Sequence, residues 1–162
     1  MTPRASQPRT TALALIGFIG LCLLVGATDA TLVRHSLPGW YLSLARPPGT
    51  PPAWIFGSAW TALSIMTGTA AWLVWRRVGA GPALQLWGWQ IAAGALWAPA
   101  FFGLHQVVLA LAVVLVLLAL AVGTLRAFAG LSSPAAWLMV PYLAWSAYAA
   151  YLGFGFWWLN RV

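Results

Sequence analysis

The sequence predicts an all-α membrane protein, a bundle of five transmembrane helices. Three observations carry this. First, 62% of the 162 residues are apolar and 6% are charged, with a mean hydropathy of +0.87, whereas a soluble domain carries charge on roughly a quarter of its residues. Second, uncharged stretches near the ~20 residues a helix needs to cross the hydrocarbon core recur five times. Third, the connections between them are short, apart from one proline-rich loop. Nine charged side chains cannot cover so much apolar surface in water, so the bilayer is the solvent.

The first stretch, 19 residues between Arg9 and Asp29, predicts a span at about 11–33. Its basic start and the Ala27-Thr28-Asp29-Ala30 sequence are loosely like a signal peptide. The apolar run is longer than a typical signal core and further spans follow, so it is read as a retained helix. A loop of 19 residues, 34–52, comes next, with five of the eleven prolines. Proline fixes φ and cannot continue a helix, so this loop is stiff rather than floppy. The second span, 53–76, is limited by Pro52 and Arg76; the third, 83–104, follows the Gly79–Pro82 turn. The fourth, 107–127, is almost entirely Leu, Val and Ala, and the fifth, 135–159, lies between Pro134 and Asn160. The whole chain, 1–162, reads as a single membrane domain.

Charge excludes other classes. All eight basic residues are arginines, scattered singly except Arg76 and Arg77, against the single acid Asp29, for a net charge of +7. No clustered basic face for a phosphate backbone follows from this, so nucleic acid is not an expected partner. The arginines read as topology determinants: five (4, 9, 76, 77, 126) on the amino-terminal side and three (34, 46, 161) on the other predict a cytoplasmic amino terminus. One acid, two histidines and the lone Cys22 supply neither a catalytic carboxylate pair nor a metal site at recognisable spacing. No obligatory cofactor is expected. His105 is a candidate axial ligand for haem iron, against the plainer reading of an interfacial loop residue.

Twelve tryptophans exceed what interfacial belts require. In the third span Gln90, Gly94, Trp97 and Phe101 recur at helical spacing and share one face; Gly88, Ala92, Ala95, Pro99 and Gly103 form an opposite stripe of small residues. In the fifth, Tyr142, Trp145, Ala149, Gly153 and Trp157 share a face by the same arithmetic. Such stripes serve either helix packing, with glycines allowing close approach, or an intramembrane pocket with aromatic walls.

The residues also carry a resemblance. Trp40-Tyr41, Leu44, Arg46-Pro47, Pro51-Pro52, Trp54, Phe56, Trp60-Thr61, Leu63, Met66, Gln90, Trp97, Pro99, Phe101-Phe102-Gly103, Pro141-Tyr142-Leu143, Trp145, Trp157 and Asn160 stand in the order and spacing of the TspO/translocator protein family, also called tryptophan-rich sensory proteins or peripheral-type benzodiazepine receptors. The resemblance implies a five-helix bundle and a pocket near the first loop, lidded by it, that binds protoporphyrin IX and haem. Some members bind sterols and synthetic benzodiazepine- or isoquinoline-type ligands, members are often dimeric, and some bacterial members are reported to degrade protoporphyrin in light. Carried onto this chain, the ligand-binding set is Trp40, Trp54, Phe56, Trp60, Gln90, Gly94, Trp97, Phe101, Tyr142, Trp145 and Gly153. A homodimer would meet through Gly88, Ala92, Ala95 and Gly103.

Departures accompany the matches. The family usually has Asn at the positions of Gly94 and Gly153, Tyr at Ser64, Trp at Gly49 and Lys at Arg46. The first four exchange large or polar groups for small ones. The sterol-contact pattern is missing too, since no Tyr stands between Leu152 and Arg161. Binding of a tetrapyrrole or similar flat apolar ligand by a membrane receptor is therefore the favoured function. An oxidative, light-dependent enzyme acting on a tetrapyrrole or isoprenoid, with the pigment supplying the chemistry, and a small-molecule carrier are the alternatives.

Overall fold

The computed structural model describes residues 8–161, so Arg4 lies outside it. Five long helices account for most of the chain: α1 (Pro8–Ser36), α2 (Ala53–Val78), α3 (Pro82–Ala98), α4 (Val107–Ala129) and α5 (Ser133–Leu159). α1 packs on α2 and α3, α2 on α5, α5 on α4, and α4 on α3, so the helices close a ring in the order α1–α2–α5–α4–α3.

Local sequence sets the ends. α2 starts directly after Pro51-Pro52 and stops at Gly79, whose φ of 73° suits glycine and whose N–H donates to Trp75 O at 2.8 Å. α3 opens with Pro82 in its first turn, where a missing N–H costs nothing. Ser132 caps α5, its hydroxyl accepting from Ala135 N. Two helices depart from the expected bounds. α1 runs on to Ser36 and passes into a π turn, Leu37–Tyr41, so only 44–52 of the first loop is irregular. α3 stops short at Ala98 and a second π turn, Pro99–Gly103, completes the crossing.

The exterior is apolar. Leu13, Ile16, Trp89, Val108 and Trp137 all point outward, Trp137 at 72% exposure. In water such a surface would associate; in lipid it is the solvated one. Among the described residues, Thr11–Ser36 and α4 are the two helices long and apolar enough to cross a membrane by length and composition. α2 and α5 are diluted by Trp, Tyr, Ser, Thr and Pro, and α3 is 17 residues long.

Inside, two layers follow one another. Away from the first loop, Trp87 donates to Thr67 Oγ1 at 3.1 Å, Thr67 donates to Met139 Sδ at 3.2 Å, and Phe18 meets Trp87 edge-on at 5.5 Å. Those contacts tie α1, α2, α3 and α5 together. Glycine permits the tightest crossing: a Cβ on Gly68 would stand 2.9 Å from Ile19 Cα and 3.0 Å from Phe18 O, both backbone. Gly123 differs, since its nearest neighbour is the mobile end of Leu86 at 3.0 Å.

Gly68→Ala is therefore expected to force α1 off α2, at a cost of about 1–3 kcal/mol. Gly123→Ala should be tolerated by a rotamer change of Leu86. Thermal unfolding in detergent separates the two; equal midpoints would show that the α1–α2 crossing relaxes freely.

Candidate functional site: a lidded aromatic core

The loop-side half of the bundle is filled with rings. Trp97 on α3 stacks on Phe101 (centroids 5.6 Å apart, planes at 11°) and on Phe56 of α2 (6.1 Å, 28°). Phe56 also meets Trp60 and Trp145 at 6.4 and 5.7 Å, and Trp60 meets Tyr142 edge-on at 5.8 Å. Trp40 enters from the first loop onto Phe101 at 5.2 Å. Gly94 lies against this core, where an added Cβ would be 3.8 Å from Tyr142 Oη. Gln90, one turn earlier on the same face, is completely buried.

The second π turn makes this density possible. Its wide hydrogen bond, Leu104 N to Pro99 O at 2.8 Å, takes the place of an α turn, and both Phe101 and Phe102 end up buried. π turns often mark functional sites because they re-aim side chains within a helix. Each ring pair is worth about 0.5–1.5 kcal/mol beyond its burial.

Two residues of the expected set lie elsewhere. Trp54 is 73% exposed, at the start of α2. Gly153 is buried against α4, where a Cβ would meet Leu111 and Val114 at 3.5 and 3.6 Å, so it serves the α4–α5 contact. Ser64 lies across from Gly26 of α1. Of the Asn and Tyr positions that became small, Gly94 lies against a ring of the cluster, Tyr142.

The first loop is held by the end of α5. Asn160 accepts from Ala45 N at 2.9 Å through Oδ1 and donates to Ala45 O at 3.0 Å through Nδ2. Tyr148 donates to Gly49 O, and Tyr151 to Pro48 O at 3.1 Å. Gly49 has φ +83°, a conformation that explains glycine there. Pro47 is buried in the notch left by Gly155, where a Cβ would collide with Pro47 Cβ at 2.5 Å. From the same loop Tyr41 packs on Phe102 and Phe156 at 5.7 and 5.8 Å. Burial raises the Tyr41 phenol above its ordinary value of 10.0, while Arg46, 5.1 Å from the ring centre, pulls it back. The neutral phenol is thus favoured, a contribution present below about pH 10 and lost as pH rises through the raised value.

None of Gly155, Tyr148, Tyr151 or Phe156 was expected at the lid. The available signal was weak: two tyrosines at i, i+3 near a helix end, which belts also produce. His105, with φ 55°, is exposed and stacks on Trp40 at 4.5 Å. Among the described residues no three of His, Cys, Asp and Glu gather to hold a metal ion. Beside the core, a groove of about 690 Å³ between α2 and α5 is lined by Ile55, Leu63, Met66, Pro141 and Trp145, so Trp145 walls both.

Such a chain is a helical membrane protein whose first loop is tied to the end of α5 beside an aromatic core. Residues 18–159 match the model of the TspO/MBR family. The tryptophan-rich protein TspO of Chlorobaculum tepidum is 36% identical over 140 residues, covering 84% of this chain and 89% of the relative. The translocator protein of Bos taurus is 36% identical over 152 residues (91% and 90%), and the tryptophan-rich sensory protein of Cereibacter sphaeroides 38% over 137 (85% and 85%). The chain belongs to the TspO/MBR family.

Loss of the latch has a direct readout. Asn160→Ala and Gly155→Val should each speed proteolytic cleavage within 44–52 by several-fold while the helices stay intact, because cleavage follows local opening. Unchanged cleavage in both would show that the latch does not hold the loop.

Proposed function

We propose that this protein is a membrane receptor or sensor that binds a tetrapyrrole, protoporphyrin IX or haem, or a similar flat apolar ligand, between the rings of its loop-side core. The observation that carries this reading is the run of face-to-face rings Phe56–Trp97–Phe101, beneath a loop held by four side-chain hydrogen bonds from α5. Packing alone needs no such lid. Near-parallel aromatic planes match a macrocycle in shape and polarisability. The names of the relatives, sensory and translocator proteins, agree with a ligand-responsive role. The distribution of arginines supports a cytoplasmic amino terminus.

Tryptophan-fluorescence and Soret-band titration of detergent-purified protein tests the reading. Saturable binding of protoporphyrin IX and haem at low micromolar concentration is expected, with affinity about tenfold weaker in Trp97→Ala. Non-saturating quenching identical in both proteins would overturn tetrapyrrole binding.

The outward stripe of α3 supports a homodimer. A Cβ on Gly88 or Gly103 would meet nothing within 4 Å, Ala92 is exposed and Ala95 half-buried beside it. Small residues on a lipid-facing helix let a second copy approach closely. Ala92→Trp should shift the detergent-solubilised protein from dimer to monomer in light-scattering chromatography, and an unshifted mass would remove this face from consideration.

A further inference from the structure

Gln90 is 0% exposed, and neither its Nε2 nor its Oε1 has a hydrogen-bond partner among the described residues. The other buried polar side chains in its neighbourhood are accommodated: Thr67 bonds Trp87 and Met139, and Ser146 donates to Tyr142 O at 2.8 Å. Thr124 Oγ1 on α4 also lacks a partner, but a helical threonine hydroxyl can turn to a carbonyl of its own preceding turn. A glutamine amide at the end of a long side chain has no such recourse. Buried amides without partners are rare because they keep the full desolvation cost.

The space around this amide is also unusual. One turn along the same face stands Gly94, where a side chain would meet a single neighbouring atom within 4 Å, the Tyr142 hydroxyl at 3.8 Å. The Gln90 amide forms no hydrogen bond of acceptable geometry with that hydroxyl or with any other described group. Three residues on from Tyr142, the half-buried Trp145 holds a second unsatisfied donor, its indole Nε1. One side of the aromatic core thus carries a row of unused polar atoms, beside the gap left by a glycine.

We propose that Gln90 is the polar anchor of this site and selects a neutral ligand with an adjacent N–H and C=O on one edge, as in a lactam or cis-amide. A primary amide presents a donor and an acceptor side by side, and a lactam edge presents the complementary pair, so both orphaned atoms are satisfied at once. An ether oxygen would satisfy only the donor, and a single hydroxyl oxygen cannot lie in line with both amide groups at once. An ionised carboxylate offers no donor, and Arg34, Arg46, Arg76, Arg77, Arg126 and Arg161 are all exposed, so none of them is a buried cation that would compensate a charge beside Gln90. The inference rests on the reading of the core as a ligand site and names the chemistry that site prefers. Such an edge can belong to an open-chain tetrapyrrole or to a small fused lactam.

Three probes and two variants decide it. Biliverdin dimethyl ester carries lactam ends, protoporphyrin IX dimethyl ester is a tetrapyrrole without them, and 2-quinolone is a small single lactam; masking the carboxyls removes charge as a variable. Full-length protein in detergent should bind biliverdin dimethyl ester or 2-quinolone about tenfold tighter, relative to Gln90→Met, while the macrocycle ester changes by less than about twofold. Gly94→Asn, which brings an amide into the gap beside Gln90, should erase the lactam preference in the same way. The melting temperature of Gln90→Met should hold or rise, because an unsatisfied amide has gone. If that variant does not fold, Gly94→Asn alone decides. Gln90 dependence for 2-quinolone only assigns the small fused lactam; dependence for biliverdin ester assigns the open-chain tetrapyrrole. Binding of the macrocycle with no lactam preference, or equal weakening of all probes in Gln90→Met, would overturn the proposal and leave the tetrapyrrole reading standing. Failure of every probe, with protoporphyrin IX and haem also unbound, would overturn both.

Discussion

Helices surrounded by lipid gain nothing by hiding apolar side chains from one another, so this bundle depends on shape. Where glycine removes a side chain, a neighbour moves in: the α1 backbone over Gly68, Leu86 against Gly123, Pro47 in the notch at Gly155. Where no glycine is present, rings fill the interval. The bundle is therefore tight at its far layer, where Thr67, Trp87 and Met139 interlock, and ring-filled at its loop-side layer. Dispersion and aromatic geometry do here what water exclusion does in a soluble core.

That difference between layers has a functional side. The far layer joins its helices through specific hydrogen bonds, which hold one arrangement. The loop-side layer is joined mostly by stacked and edge-on rings, each pair weak and interchangeable with a similar contact. A layer of that kind can exchange one ring contact for another without dismantling the scaffold. Among its described residues that layer also holds two side chains with unpartnered polar atoms, Gln90 and Trp145.

Much of the architecture was legible because lipid imposes a strict demand: every backbone group must bond within its own helix, so uncharged runs of the right length are helices. Helical spacing likewise put Gln90, Gly94, Trp97 and Phe101 on one inward face. Helix ends were less legible. The π turn at Pro99–Gly103 depends on tertiary packing of Phe101 and Phe102, and apolar runs say nothing about it. Trp54 and Gly153 show the limit of reading a site from residue type. Tryptophan suits an outer surface as well as a pocket wall, and glycine suits a helix crossing as well as a ligand gap. The lid contacts were out of reach, since nothing local marks a loop carbonyl as the partner of a tyrosine about a hundred residues away.

The span of the latch has a consequence for biosynthesis. Asn160 lies 115 residues along the chain from Ala45, and its partners in the task, Tyr148, Tyr151 and Gly155, all sit on the last helix described. Synthesis proceeds from the amino terminus at roughly 5–20 residues per second, so the first loop leaves the ribosome seconds before anything exists to hold it. Until α5 is in place, the ring cluster has neither its Trp145 wall nor the partners of the first loop. During that interval the aromatic core is open on its α5 side, and the loop gains its partners only once α5 is in place.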